Sequence, residues 1–291
     1  MSIDLLHEKI RKLKNPSIID FGIKESCIPP YLYEEEGSEL KAYSRFCREL
    51  LDGLKGVVPA VRFPFGAFAL MGGEGLEVLQ ELLQYAGARG FYVVLDSPEI
   101  LSPWDADRIA QTIFGEDSQY PCDALVISPY IGSDAVKPFV SACKNGKALF
   151  AAVRCPNKTA PELQDLMTGS RLVHEAAMDI VKRFGETAFG RCCYSHINAL
   201  VSAGSPAGLK SLRAKHPRTF LLVDGLDYPS GNAKNCSFAF DRFGYGAVVC
   251  AGPSVTAAWM NEGADPGKYV EHAVAAAQRM KKNLTRYVNI L

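Results

Sequence analysis

ALVISPYIGSDAVKPFVSACKNG, residues 124–146, contains one complete pattern of a strand followed by a helix. Its first six residues, 124–129, are an apolar run typical of a buried strand. Ser133 and Asp134 are N-cap residue types, and the segment behind them ends in Asn145-Gly146, a termination signal for helices. The stretch therefore predicts one β-strand and one α-helix in succession.

The same alternation continues on both sides of this unit. Strands are predicted at eight apolar runs rich in Val, Ile and Phe, namely 17–22, 56–63, 91–96, 124–129, 148–154, 197–203, 219–224 and 246–251. Because these runs are apolar on both faces, they are typical of a parallel sheet covered by helices. Helices are predicted over 39–54, 74–90, 133–146, 160–185 (one helix or two), 231–244 and 265–288.

Eight strand–helix repeats in 291 residues predict the α/β class and a single-domain (β/α)8 TIM barrel. In such barrels the functional residues follow the C-terminal ends of the strands. The alternative is an open, doubly wound sheet. We favour the barrel because no glycine-rich fingerprint follows the first strand. Residues 1–16 are predicted to be an N-terminal helical extension over the barrel bottom, and residues 17–291 to form the barrel with its C-terminal helix.

The composition argues against several classes of protein. Lys+Arg and Asp+Glu both total 32, so we expect no general binding to nucleic acid or to membrane surfaces. We find no apolar core of a secretory signal and no run of about 18 apolar residues. Nine cysteines without regular spacing indicate reduced thiols and a cytoplasmic protein. We interpret the vicinal Cys192-Cys193 as inert small residues rather than a redox pair.

Local motifs indicate neither a cofactor nor a metal. MGGEG (71–75) lacks the Lys-Ser/Thr of a P-loop, and no GxSxG elbow occurs. The five histidines show no ligand spacing. We therefore expect no cofactor and no bound metal.

Several phrases together resemble the orotidine 5′-phosphate decarboxylase family, in its larger bacterial branch. DALVISPYIGSDAVKPF (123–139) is similar to that family's ADA-x-T-x-x-PYLG-x-D-x-x-x-PF phrase. Three later segments come in the family's order, namely NKTAPELQDL (157–166), SPAGLKSLRAKHPRTFLLVDGLD (205–227) and AFDRFGYGAVVCAG (239–252). The likeness extends over most of residues 17–260.

The resemblance implies a barrel that decarboxylates orotidine 5′-phosphate to UMP without a cofactor. In the family, carboxylates press on the substrate carboxylate, while a Lys stabilises the carbanion and then protonates it. Contacts with the remote phosphate supply binding energy that is used at the reacting carbon. The resemblance also implies dimers that meet at their barrel mouths. We therefore expect a nucleotide-like small molecule as ligand, and a homodimer or pairing with a paralogue.

Position by position, the resemblance implies that the catalytic set is depleted. The family's Lys at the end of strand two is Arg62 here. In the strand-three motif D-x-K-x-x-D-I, the first Asp is kept as Asp96, whereas the Lys is Pro98 and the second Asp is Leu101. Proline and leucine carry no charge and donate no proton, so the alternating Lys–Asp set is incomplete.

The positions that contact the nucleotide differ too. The family's TSN after strand five is Cys155-Pro156-Asn157, so only the Asn is kept. After strand seven, the family's PG-x-G-x-QGG corresponds to residues 224–231, beginning with Asp224-Gly225. There Pro229 replaces the phosphate-binding Gln, and the acidic Asp224 and Asp227 would repel a phosphate.

Two further positions follow the same trend. After strand eight, SRG reads Gly252-Pro253-Ser254, so Pro253 replaces the phosphate-clamping Arg. At strand one the ribose-contacting Asp position holds Gly22, with Asp20 two residues away. The candidate site residues are thus Arg62 and Asp96 as catalytic remnants, and Asp20, Asn157, Asp224 and Gly225 as ligand-binding positions.

Because the losses gather at strand C-termini, we interpret the chain as a non-catalytic homologue. The first alternative is an enzyme of different chemistry, using the mouth residues Arg62, Asp96, Glu99, Asp105, Asn157, Asp224 and Asp227 for acid/base work or for a divalent cation. We interpret Glu99, Asp105 and Asp227 as solvated loop carboxylates, while Asp96 and Asp224 suit function and helix N-capping equally. The second alternative is a working decarboxylase whose site is registered differently.

Overall fold

The computed structural model describes residues 2–96, 100–261 and 264–291. Within them the strands are β1 (Ser17–Asp20), β2 (Ala60–Pro64), β3 (Tyr92–Asp96), β4 (Ala124–Ile127), β5 (Ala148–Ala152), β6 (Met167–Thr168), β7 (Arg171–Leu172), β8 (Ile197–Ser202), β9 (Leu221–Asp224) and β10 (Ala247–Ala251). β6 and β7 form an antiparallel hairpin, and the other strands form a closed barrel in the order β1-β10-β9-β8-β5-β4-β3-β2. Because β1 pairs with both β2 and β10, the barrel prediction is confirmed and the open sheet is rejected.

The helices are α1 (Ser2–Leu13), α2 (Pro30–Glu36), α3 (Glu39–Leu54), α4 (Phe65–Ala69), α5 (Gly72–Ala88), α6 (Pro103–Phe114), α7 (Val140–Lys144), α8 (Pro161–Gln164), α9 (Val173–Gly185), α10 (Pro206–Lys215), α11 (Ala233–Cys236), α12 (Pro253–Thr256) and α13 (Tyr269–Thr285). The prediction did not include α2, α4, α6, α10 or α12. α6 and α10 each begin with Pro behind a capping Ser, a start signal that precedes only a short apolar pattern.

Three predicted helices are interrupted or shortened. The segment 231–244 contains only α11 and one 3-10 turn, Ser237–Ala239. The segment 133–146 contains two short 3-10 turns before α7, and Pro138 lies inside the second. Proline has no amide N–H, so the continuous helical ladder that the periodicity predicted is broken there. The segment 160–185 contains α8, the β6–β7 hairpin and α9, and Gly169 takes a left-handed φ of 65° at the hairpin turn.

α1 lies against the N-terminal ends of the strands. Ser2 Oγ is 2.7 Å from Tyr92 Oη at the start of β3 and donates to the Asp123 carbonyl (2.7 Å) just before β4. The Cys192 amide donates to Asp4 Oδ1 at 2.8 Å. These contacts leave the opposite, C-terminal ends of the strands uncovered by this helix. None of the helices in the described ranges has the length and apolarity needed to cross a membrane.

The register decides which side chains point into the barrel. In a parallel pair, residues opposite each other share a face, and alternate residues along one strand share it too. Asp20 is opposite Arg62, Pro64 is opposite Asp96, and Ser202 is opposite Asp224. Since Arg62 contacts both Asp20 and Asp224 across the barrel, this set faces inward at the C-terminal end.

Candidate functional site

Arg62 is the centre of the barrel mouth. It lies in the buried strand β2, two residues before the strand ends, and is itself only 7% exposed. Its guanidinium forms a close ion pair with Asp20, which Nε also reaches at 3.1 Å, and Nη1 donates to Asp224 Oδ2 at 2.9 Å. Asp96 Oδ2 is 3.8 Å from Nη1. The structure thus brings together four of the six predicted site residues.

The charge balance of this cluster is acidic. One guanidinium faces three carboxylates, and these are the only ion pairs that the three carboxylates form among the described residues. Burial raises the pKa of Asp96 to about 6; Arg62 opposes this shift, and the negative charges of Asp20 and Asp224 add to it. The three guanidinium nitrogens of Arg62 therefore all donate hydrogen bonds to carboxylates of the same chain.

Asp227 lies beside two backbone amides beyond the C-terminal end of β10. Its Oδ2 accepts a hydrogen bond from the Gly252 amide at 2.7 Å and lies 3.4 Å from the Ser254 amide nitrogen. These amides belong to the Gly252-Pro253-Ser254 turn that follows β10. A carboxylate of the chain thus takes the N–H groups that could receive an anion. Asp227 is an exposed loop carboxylate, as predicted, and it also has these two backbone contacts.

The remaining two predicted ligand-binding residues have local structural partners. Asn157 is exposed, and its Nδ2 donates to Thr159 Oγ1 at 3.0 Å. Gly225 has a φ of 92°, and a Cβ there would lie 2.5 Å from Pro156 Cβ, so any other residue would be strained and crowded. The Gly225 amide donates to Asp224 Oδ1 at 2.7 Å, which fixes that carboxylate towards Arg62.

The other candidates around the mouth do not join the cluster. Asp105 exchanges hydrogen bonds with Ser102 at the start of α6, which is a capping arrangement. Leu101 is 75% exposed. Pro98 and Glu99 lie outside the described residues. Within the described ranges, no group of three or more His, Cys, Asp or Glu side chains is arranged to hold a metal ion.

One buried thiol next to the cluster was not among the predicted residues. Cys250 on β10 is 2% exposed and opposite Ile18, on the inward face that Asp20 also occupies. Burial raises the pKa of its thiol well above the ordinary value, so it stays neutral beneath Arg62. In the sequence, the only indication of an inward position was that Cys250 lies two residues after Val248 in an apolar strand. The alternation of side chains along a strand does not by itself show which face points into the barrel.

The chain is similar in sequence and in fold to proteins that carry the name orotidine 5′-phosphate decarboxylase. No family model matches the chain. It is 30% identical over 241 residues to the orotidine 5′-phosphate decarboxylase of Deinococcus radiodurans, covering 81% of this chain and 85% of that protein. It is 28% identical over 260 residues to the decarboxylase of the same name from Rhodopirellula baltica, covering 86% of each. The solved OMP decarboxylase of Leishmania donovani has the same fold, with a TM-score of 0.73 at 22% identity over 97% of this chain and 99% of that one.

Proposed function

Because the chain belongs to the orotidine 5′-phosphate decarboxylase family, we propose that it is a member that no longer decarboxylates orotidine 5′-phosphate. The observation that carries this proposal is the state of Arg62. Its guanidinium is buried and paired with Asp20 and Asp224 from two other strands. The family reaction needs a cation that faces the substrate and then gives up a proton.

Arginine is unsuited to the second of these tasks. A guanidinium does not lose its proton in proteins, whereas a lysine ammonium can. The carboxylates around Arg62 also offset the positive charge that would stabilise a carbanion. With Pro98 and Leu101 at the other two motif positions, the sequence supplies no replacement acid there.

The phosphate contact is weakened for a separate reason. Asp227 takes the Gly252 amide, and Pro253, at the position of the family's Arg, has neither a charged side chain nor an amide N–H. A phosphate approaching this turn would meet the negative charge of Asp227. We therefore propose that any nucleotide-like ligand binds without the phosphate contact that the family uses.

The direct test is a turnover assay with orotidine 5′-phosphate, followed by ultraviolet absorbance, with an active family member as positive control. We expect no turnover by this chain, and none by Arg62→Lys, since one lysine restores neither the missing acid nor the phosphate contact. Turnover near ordinary enzyme rates, about 1 s⁻¹ or more, would refute the proposal. A thermal-shift titration with UMP and with uridine then tests the pocket. We expect the two compounds to change the melting temperature to the same extent, because the phosphate of UMP finds no contact.

A second candidate function is acid/base chemistry on a different substrate. The observation that favours it is Asp96, whose pKa is raised to about 6 at the open end of the barrel. A group that titrates near neutral pH suits proton transfer. If a substrate is found, its turnover should follow a titration near pH 6 that Asp96→Asn abolishes. A pH profile unchanged by that substitution would exclude Asp96 from the chemistry.

We also propose that the chain forms a homodimer through its barrel mouth. Three large apolar side chains follow the C-terminal ends of β2 and β3 and are exposed, namely Leu70 (91%), Leu101 (75%) and Trp104 (63%). Exposed apolar patches of this kind are typical of protein interfaces. Sedimentation should give a dimer for the wild type and a monomer for Leu101→Glu/Trp104→Glu. A wild-type monomer at high concentration would refute self-association and would favour a paralogue as partner.

A further inference from the structure

A cleft lies at the N-terminal end of the strands, opposite the mouth. It has a volume of about 510 Å³ and lies between the C-terminal ends of α9 and α10. Its lining comes from Lys182, Gly185, Glu186, Phe189, Ser195, Lys215, His216, Pro217, Arg218 and Thr219. A volume of this size is within the range of small-molecule sites. Because Ser195 and Thr219 precede β8 and β9, the cleft is separate from the Arg62 cluster.

The charged lining of the cleft is basic. Lys182, Lys215 and Arg218 face it against a single acid, Glu186. The Lys182–Glu186 pair is long, at 3.8 Å, and both side chains are more than half exposed. Lys215 pairs at 2.7 Å with Glu175, which lies outside the lining. The Lys182–Glu186 pair is weak because it is long and exposed, so a bound anion can compete for Lys182. For Lys215, which is 58% exposed, an anion competes with the shorter contact to Glu175, which is 28% exposed.

Arg218 joins the basic side chains to an apolar surface. Its guanidinium lies over the Phe189 ring, 3.5 Å from the centroid. Among the described residues, only its Nε has a hydrogen-bond acceptor, the Cys193 carbonyl at 3.2 Å. The other guanidinium N–H groups are thus available to a ligand. Phe189 and Pro217 add apolar faces beside them.

The pKa of His216 is lowered by burial and by the positive charges around the cleft. Within the described residues its Nδ1 is buried and has no hydrogen-bond partner. Burial lowers the pKa of His216, and the charges of Lys182 on α9 and of Lys215 and Arg213 on α10 lower it further, with only Asp179 opposing. An anion placed among these groups would favour the imidazolium form.

We propose that this cleft binds a small organic phosphate, with the phosphate held by Lys182, Lys215 and Arg218 and a flat apolar part resting on Phe189 and Pro217. Charge-assisted hydrogen bonds to phosphate are the strong contacts of such a site. The apolar faces make the class an organic phosphate rather than the free ion. The proposal is independent of the proposed function, because no residue of the mouth takes part.

The test uses phenyl phosphate and inorganic phosphate as probes on the full chain. Calorimetry should show saturable binding of phenyl phosphate, tighter than that of inorganic phosphate. Nuclear magnetic resonance should show the pKa of His216 moving upward in the bound form. Lys182→Gln/Arg218→Gln should weaken binding by about tenfold or more, since two charged contacts are removed.

Lys210→Gln is the matched control, because Lys210 is exposed on the same helix, α10, outside the cleft. It should bind phenyl phosphate as the wild type does. Circular dichroism of both variants checks that the substitutions, all at exposed positions, leave the fold intact. Equal affinity of the wild type and the double variant, or an unchanged titration of His216 on saturation, would overturn the proposal. Inorganic phosphate binding as tightly as phenyl phosphate would overturn its organic part.

Discussion

Replacing Arg62 by methionine should destabilise the fold strongly, because it leaves buried carboxylates without their cation. Arg62 is 7% exposed, and the side chains of Asp20 and Asp224 are 18% and 17% exposed. Two charged hydrogen-bonded contacts are lost, each of which is worth about 1.5–3 kcal/mol. Asp96, at 3.8 Å and 34% exposed, adds little because solvent screens it. We therefore expect Arg62→Met to lower the free energy of unfolding by about 3–5 kcal/mol at pH 7.5.

Arg45 offers a matched control on the surface. It also pairs with three carboxylates, Glu35 at 2.8 Å, Glu36 at 3.0 Å and Glu49 at 2.7 Å. Its side chain is 36% exposed, however, and its partners Glu35, Glu36 and Glu49 are 54%, 28% and 40% exposed. Exposed pairs contribute little, so Arg45→Met should cost no more than about 1 kcal/mol.

Urea unfolding followed by circular dichroism and by tryptophan fluorescence measures both variants. Equal losses for the two variants would refute the assignment of a buried charge cluster.

Three further substitutions test other parts of the structure by the same unfolding measurement. The pKa of Asp96 is raised to about 6 in the folded protein, so its ionisation costs stability above that pH, and the cost disappears as the pH falls towards 4. Asp96→Asn should therefore stabilise the fold by about 1 kcal/mol at pH 8 and make no difference at pH 4. Cys193 has a left-handed φ of 69°, so Cys193→Gly should stabilise the fold by about 0.5–1 kcal/mol, and a loss would contradict this backbone conformation. Arg213 is 9% exposed, and its planar guanidinium donates to five carbonyl groups. Arg213→Lys keeps the charge but should still lower the free energy of unfolding by about 2–4 kcal/mol. An unchanged free energy of unfolding would show that charge alone matters.

The barrel could be predicted from the sequence because its signal is local. Each strand is a short run apolar on both faces, and residues 91–96 or 219–224 show this without reference to the rest of the chain. The hairpin within 160–185 could not be predicted in this way, since the helical spacing of apolar residues continues across the turn at Gly169. α6 was missed because its pattern of apolar residues is short.

The candidate site divides along the same line. The sequence by itself determined which residue types stand near the C-terminal ends of the strands: Arg62 in the place of a lysine, Asp96 kept, and Pro253 in the place of an arginine. Only the tertiary structure decided that Arg62 meets Asp20 and Asp224, which lie 42 and 162 residues away along the chain, and that Asp227 reaches the Gly252 amide. The physical reason is that barrel closure and strand register set these distances. A charge in the sequence does not reveal its partner until the strands that carry both are side by side.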